Sequence, residues 1–284
     1  MQNIINGLPI AAVILLLAVG FAFLVKGADF FVEGSSSIAK KLKVPPIIIG
    51  LTIVAMGTSL PETAVSVTAS LVQNNELAVS NVVGSNIFNL MFVIGVCSIL
   101  TPIMVQKATV VRDIPLSLGC ALFLLVLGIS GLGDKAGMTL GHADGVIFLI
   151  VFAGYIFTMV RSAMKARAAG QKIEIEGVEE CDNMKELSYG KSILFLIVGA
   201  AAIAFGGDLT VDTASRIAIE LGMSQTLVGL TIVSIGTSLP ELVTSVVAAR
   251  KNEVDMAVGN AVGSNIFNIL MVLGISSAIS QVAL

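Results

Sequence analysis

Residues Gly50–Gly95 read GLTIVAMGTSLPETAVSVTASLVQNNELAVSNVVGSNIFNLMFVIG, and residues Gly229–Gly274 read GLTIVSIGTSLPELVTSVVAARKNEVDMAVGNAVGSNIFNILMVLG. The two stretches align without a gap at an offset of 179 residues, and 26 of the 46 positions are identical. Both are apolar enough to sit in a bilayer, yet each carries one acid, Glu62 or Glu241, directly after the same Gly-Thr-Ser-Leu-Pro. A carboxylate at membrane depth is costly, so an acid kept at equivalent places in two copies marks an ion pathway more readily than packing. The same offset pairs Asp29 with Asp208, Glu33 with Asp212, Ser36 with Ser215 and Ala39 with Ala218, so the duplicated unit includes the preceding span.

Composition places the whole chain in the same class. Of 284 residues, 56% are hydrophobic and only 12% charged, with a mean hydropathy of +0.98, which no soluble domain of this length shows. Cys97, Cys120 and Cys181 have neither paired nor metal-binding spacing. A net charge of −3, with basic residues dispersed between apolar runs, gives no support for a nucleic-acid partner. The first apolar run leads to Lys26, Gly27 and Asp29 without a cleavage site and reads as a span, not a signal peptide.

At about 20 apolar residues per spanning helix, the sequence predicts an all-α integral membrane protein with eight spans, at residues 8–27, 45–72, 77–100, 113–130, 144–161, 191–207, 224–249 and 255–280. Residues 1–161 form a first half of five spans, 162–190 a polar cytoplasmic linker, and 191–284 a second half of three spans. With the amino terminus outside, 14 of the 16 Lys and Arg residues fall in cytoplasmic connections and only Lys135 and Arg216 fall outside. Both termini of the chain are then extracytoplasmic, in the plasma or inner membrane. The second span then runs outward and its copy, the seventh, runs inward. The repeats have inverted topology, and a pseudo-two-fold axis in the membrane plane brings Glu62 and Glu241 together near mid-depth.

Each motif supplies oxygen. Pro61 and Pro240 have no amide hydrogen to offer the carbonyls of Gly57 and Gly236 four residues back. Thr58, Ser59, Thr237 and Ser238 add hydroxyls, and Ser85 with Asn89, or Ser264 with Asn268, share a helical face four residues apart. Two carboxylates among hydroxyls, carbonyls and amides suit a hard cation, calcium or sodium, and not zinc or copper. Two glutamates also match one divalent cation, and a site emptied of cations would cross the membrane only at high cost, which favours exchange over release. Small residues in membrane helices usually serve packing, so Gly84, Ser85, Gly263 and Ser264 taken singly read first as close-contact residues. Asn86 and Asn265 read equally well as interhelical hydrogen-bond partners. Asp29, Glu33, Asp208 and Asp212 stand near span ends and suit a vestibule. His142 reads as an exposed loop residue, and no Ser-His or paired-Asp arrangement suggests an intramembrane hydrolase, so the chain is not read as an enzyme.

Paired GTSLPE and GSNIFN segments in inverted halves resemble the alpha repeats of the calcium/cation antiporter superfamily, closest to its sodium/calcium exchanger branch. The resemblance implies a ten-helix fold in which the second, third, seventh and eighth spans enclose the ions while the first and sixth slide across them. It implies ligands at the Ala55 backbone, Thr58, Ser59, Glu62, Ser85 and Asn89, and at the Ser234 backbone, Thr237, Ser238, Glu241, Ser264 and Asn268. Transported calcium and sodium are then the partners besides the bilayer, with no cofactor. Proton-coupled exchange on the same fold and a regulatory role without transport are the alternatives. Asn268 stands where some members, including those that co-transport potassium, carry Asp, which implies potassium-independent exchange or a changed ion stoichiometry. Leu284 aligns with Val105, so counterparts of the fourth and fifth spans are not in this sequence, and the expectation is an oligomer or partner chain beside the seventh and eighth spans.

Overall fold

In the computed structural model, the residues described are 5, 7–73, 75–103, 105–107, 109–130, 139–168, 187–228, 231–232 and 234–283. The helices are α1 (Ile10–Leu42), α2 (Pro46–Thr58), α3 (Leu60–Leu71), α4 (Leu77–Leu100), α5 (Thr109–Ile129), α6 (His142–Ala168), α7 (Tyr189–Glu220), α8 (Gln225–Val228), α9 (Ser234–Gly236), α10 (Leu239–Arg250) and α11 (Val254–Ile279). Six of them are long and apolar enough to cross a membrane alone, and α2 with α3 qualifies as one span bent by 48°. The remaining expected span, 224–249, is represented by α8, α9 and α10, with residues 229, 230 and 233 outside the described set.

Two span boundaries need correction. The spans expected at 8–27 and 191–207 are helices of 33 and 32 residues. Charges at Lys26, Asp29 and Glu33, or Asp208 and Asp212, end the apolar run but not the helix, because α1 and α7 support one another along their length. Gly20, Gly27 and Gly34 recur every seventh residue on α1, as do Gly199 and Gly206 on α7, so each set lines one face. A Cβ at Gly20 would lie 2.6 Å from the Thr210 hydroxyl, at Gly27 2.9 Å from the Ile203 nitrogen, and at Gly34 2.8 Å from the Ser192 carbonyl. Numbers rise along one helix as they fall along the other, so the pair is antiparallel, as inverted copies require. The ring pairs Phe23–Phe205 and Phe30–Phe195, with centroids 5.2 and 4.9 Å apart, flank this seam.

Most of the linker expected at 162–190 lies outside the described residues, although α6 continues through its first part to Ala168. Beyond α11, Val282–Ala283 pairs antiparallel with Thr139–Leu140 ahead of α6. His142, exposed as expected, shares a 3.0 Å hydrogen bond with the Ala278 carbonyl. α11 is the most enclosed span: a Cβ on Gly259 or Gly263 would meet the backbone of α2 at 2.7–2.8 Å, and Phe267 packs edge-on to Phe152 of α6 at 4.9 Å. Tyr155 of α6 donates its hydroxyl to the Leu51 carbonyl at 2.9 Å. That carbonyl belongs to a π-turn, Gly50–Val54, and similar wide turns occupy Asn89–Val93 and Asn268–Val272.

Candidate cation site

The prolines do not sit inside a continuous helix, where they would leave the Gly57 and Gly236 carbonyls without a partner. α2 stops at Thr58 and a new helix, α3, begins at Leu60, so Pro61 sits in a first turn where a missing N–H costs no helical bond. Pro240 does the same at the start of α10. Glu62 and Glu241 therefore lie in first turns, where the helix dipole favours a carboxylate. The last carbonyls of α2, including that of Ala55, end beside them with the opposite partial charge, which favours a cation. Ala55 is fully buried, and its carbonyl also accepts from the Ser59 nitrogen at 3.0 Å. Ser234 opens the short α9 in the corresponding place.

Both carboxylates are fully buried, and each is held by a hydroxyl from its own repeat and one from the other. Ser59 donates to Glu241 Oε1 at 3.0 Å, with the Ser264 hydroxyl 3.5 Å from the same atom. The Ser238 and Ser85 hydroxyls lie 3.4 and 3.3 Å from Glu62 Oε1 and 3.0 Å from each other. Thr58 Oγ1 is 3.5 Å from Ser264 Oγ. Asn268 donates to Ser85 Oγ and to Asn86 Oδ1, both at 3.1 Å, and Asn89 donates to Asn265 Oδ1 at 3.2 Å. Eleven of the twelve expected residues thus join one buried cluster or its edge. The side chain of Ser234 lies outside the described residues.

Four buried oxygens at the centre have no hydrogen-bond donor: Glu62 Oε2, Glu241 Oε2, Asn89 Oδ1 and Asn268 Oδ1. All four are acceptors, and two belong to carboxylates. Burying such atoms unpaired is costly, and a bound cation is the group that would satisfy them together. The donor set is oxygen throughout, and the described residues contain no cluster of three or more His, Cys, Asp or Glu that would suit a transition metal.

Asn81 and Asn260, which the sequence motifs do not single out, also belong to this lattice. Asn81 donates to the Glu62 carbonyl and to Ser66 Oγ, and accepts from Thr237 Oγ1; Asn260 does the same with Glu241, Ser245 and Thr58. Their identity across the repeat at an apolar depth was the available signal. Asn86 and Asn265 exchange bonds with each other's carbonyls at 3.3 and 3.2 Å, so the interhelical reading of these two holds. Gly263 is in close contact, but a Cβ on Gly84 would meet nothing within 4 Å, so the packing role expected of both belongs to one.

The sodium/calcium exchanger protein family matches residues 12–161 and 191–284. The chain belongs to this family. It is 40% identical over 262 residues to the putative antiporter CaxA of Alkalimonas amylolytica, covering 92% of this chain and 79% of that protein. It is 35% identical over 285 residues to the sodium/calcium exchanger MaX1 of Methanosarcina acetivorans, covering 92% and 81%. Among solved structures, the sodium-calcium exchanger NCX_Mj soaked with sodium and strontium superposes with a TM-score of 0.79 at 32% identity, covering 97% of this chain and 85% of that one. The chain is therefore a multi-pass integral membrane protein of a transporter family.

Proposed function

We propose that the chain exchanges calcium for sodium by alternating access at the site between Glu62 and Glu241, with Ala55, Thr58, Ser59, Ser85 and Asn89, and Ser234, Thr237, Ser238, Ser264 and Asn268, as the remaining oxygen donors. The observation that carries the reading is the set of four donorless acceptor oxygens, two of them carboxylate, at the crossing of the two repeats. Two carboxylates balance one calcium or two sodium ions, so either load leaves the site near neutral and able to cross, whereas the empty site does not. Asn268 contributes a neutral oxygen, which supports exchange without potassium. Basic-residue placement supports both described ends of the chain facing away from the cytoplasm, in the plasma or inner membrane, with calcium moved outward against inward sodium.

Calcium flux in proteoliposomes, with and without a sodium gradient, tests this. The native chain is expected to take up calcium only with the sodium gradient, and Glu62→Gln or Glu241→Gln to abolish uptake. Uptake driven by a proton gradient in the absence of sodium would replace the coupling ion, and undiminished flux in both variants would remove the site.

A further inference from the structure

The amide orientation of Asn81 and Asn260 is fixed by their surroundings. In each, the NH2 group faces two acceptors of its own repeat. Asn260 Nδ2 is 3.3 Å from the Glu241 carbonyl and 2.9 Å from Ser245 Oγ; Asn81 Nδ2 is 3.4 Å from the Glu62 carbonyl and 3.0 Å from Ser66 Oγ. Rotating either amide by half a turn would set its oxygen against a main-chain carbonyl. The oxygen must therefore face the other repeat, where Thr58 Oγ1 reaches Asn260 Oδ1 at 2.9 Å and Thr237 Oγ1 reaches Asn81 Oδ1 at 3.2 Å. An amide oxygen can only accept, so the threonine must donate.

A free hydroxyl can serve as donor or acceptor. Besides Asn260, the Thr58 hydroxyl has the carbonyls of Val54 at 3.1 Å and Ala55 at 3.3 Å behind it on its own helix, and on the site side the Ser264 hydroxyl at 3.5 Å and the Glu241 carboxylate within reach. We propose that Asn81 and Asn260 are crossed positioning residues that pin the glutamate backbone of their own repeat and hold the other repeat's threonine as a donor toward themselves, so that Thr58 and Thr237 present lone pairs to the ion. The serines are arranged differently: Ser59 donates toward a carboxylate. Without the asparagines, the threonine protons could turn to the glutamates and compete with the cation for them. Neither asparagine touches the ion, and neither is needed to supply charge.

This inference rests on the oxygen site proposed above, and the Glu62→Gln and Glu241→Gln flux measurement judges that site separately. The test is a double-mutant cycle read as half-saturating calcium and maximal rate in proteoliposomes. Asn260→Ala and Thr58→Val are each expected to raise half-saturating calcium about 10-fold, with a smaller fall in maximal rate. The double variant is expected to resemble the single ones, because each substitution takes away the same lone pair that the oriented hydroxyl presents. Asn81→Ala with Thr237→Val forms the second, independent cycle. Additive effects near 100-fold in the double variants, or a fall in maximal rate without a change in half-saturation, would overturn the proposal. If Asn260→Ala fails to assemble, the Asn81 cycle decides. Failure of both asparagine variants to assemble would assign these residues to folding alone and overturn it as well. Lost flux in the glutamate variants together with additive asparagine cycles would leave the ion site standing and remove only the crossed struts.

Discussion

Asn81 reaches the Glu62 carbonyl and Thr237 at 3.4 and 3.2 Å, and Asn260 reaches the Glu241 carbonyl and Thr58 at 3.3 and 2.9 Å. Outside this polar lattice the two copies of the repeat have different neighbours. Gly57 faces the tip of the Phe31 ring, whereas Gly236 faces a methyl of Val211. Gly263 lies against Leu51 and Ala55, whereas the position of Gly84 is open. Met91 and Phe92 of α4 are exposed, whereas their counterparts in α11 are the buried Leu270 and the half-buried Met271. Lys251, on the turn between α10 and α11, pairs with Asp29 of α1 at 3.3 Å, whereas the corresponding residue of the first copy is the exposed Val72. The duplication has thus kept the groups of the buried polar lattice and released those that face other helices.

The largest effect should respect the symmetry: Glu62→Gln and Glu241→Gln are both expected to abolish sodium-dependent calcium flux, and loss in only one would break the equivalence. The next should violate it. A Cβ at Gly236 would lie 2.1 Å from Val211 Cγ2, and one at Gly57 would lie 2.4 Å from Phe31 Cζ. A ring tip can swing aside more easily than a β-branched methyl, so Gly236→Ala is expected to lower flux more than Gly57→Ala, with Val211→Ala restoring it. Equal losses, or no rescue, would show that the backbone at the break matters more than its neighbour. In thermal unfolding of the purified protein, Gly263→Ala is expected to cost about 1–3 kcal/mol, while Gly84→Ala should stay within about 0.5 kcal/mol of the native chain. The smallest change is Lys251→Val, which gives the second copy the residue of the first. A partly exposed pair of this kind is worth about 0.2–1 kcal/mol, and the loss should shrink as salt is raised.

The sequence made the repeat, the paired acids and the oxygen chemistry readable because they depend on residue identity at a fixed offset. It also located the break at Gly-Thr-Ser-Leu-Pro, although the proline proved to begin a helix instead of freeing a carbonyl inside one. The ends of α1 and α7 were hidden because the apolar run stops at Lys26 and Gly207, while the helices continue on mutual glycine contacts that pair residues far apart in sequence. The π-turns at Asn89 and Asn268 leave no compositional mark. The crossing of Ser59 to Glu241 and of Ser238 to Glu62 required the relative placement of two halves, which an internal alignment does not contain. Asn81 and Asn260 were visible as identities, but their task depended on which way each amide faced.

The seam between α1 and α7 has a consequence for length. At about 1.5 Å per residue, 33 and 32 residues make each helix about 50 Å long, against a hydrocarbon layer of about 30 Å. The glycines bring their backbones together, and each helix carries its charged half alongside the other's apolar half, so the two behave as one rod with a charged section toward each end. Lys40 and Lys41 mark one end, and Arg216 and Glu220 the other. A rod longer than the barrier it crosses keeps a handle in both aqueous compartments at once, so a force applied from either side is felt along the whole pair.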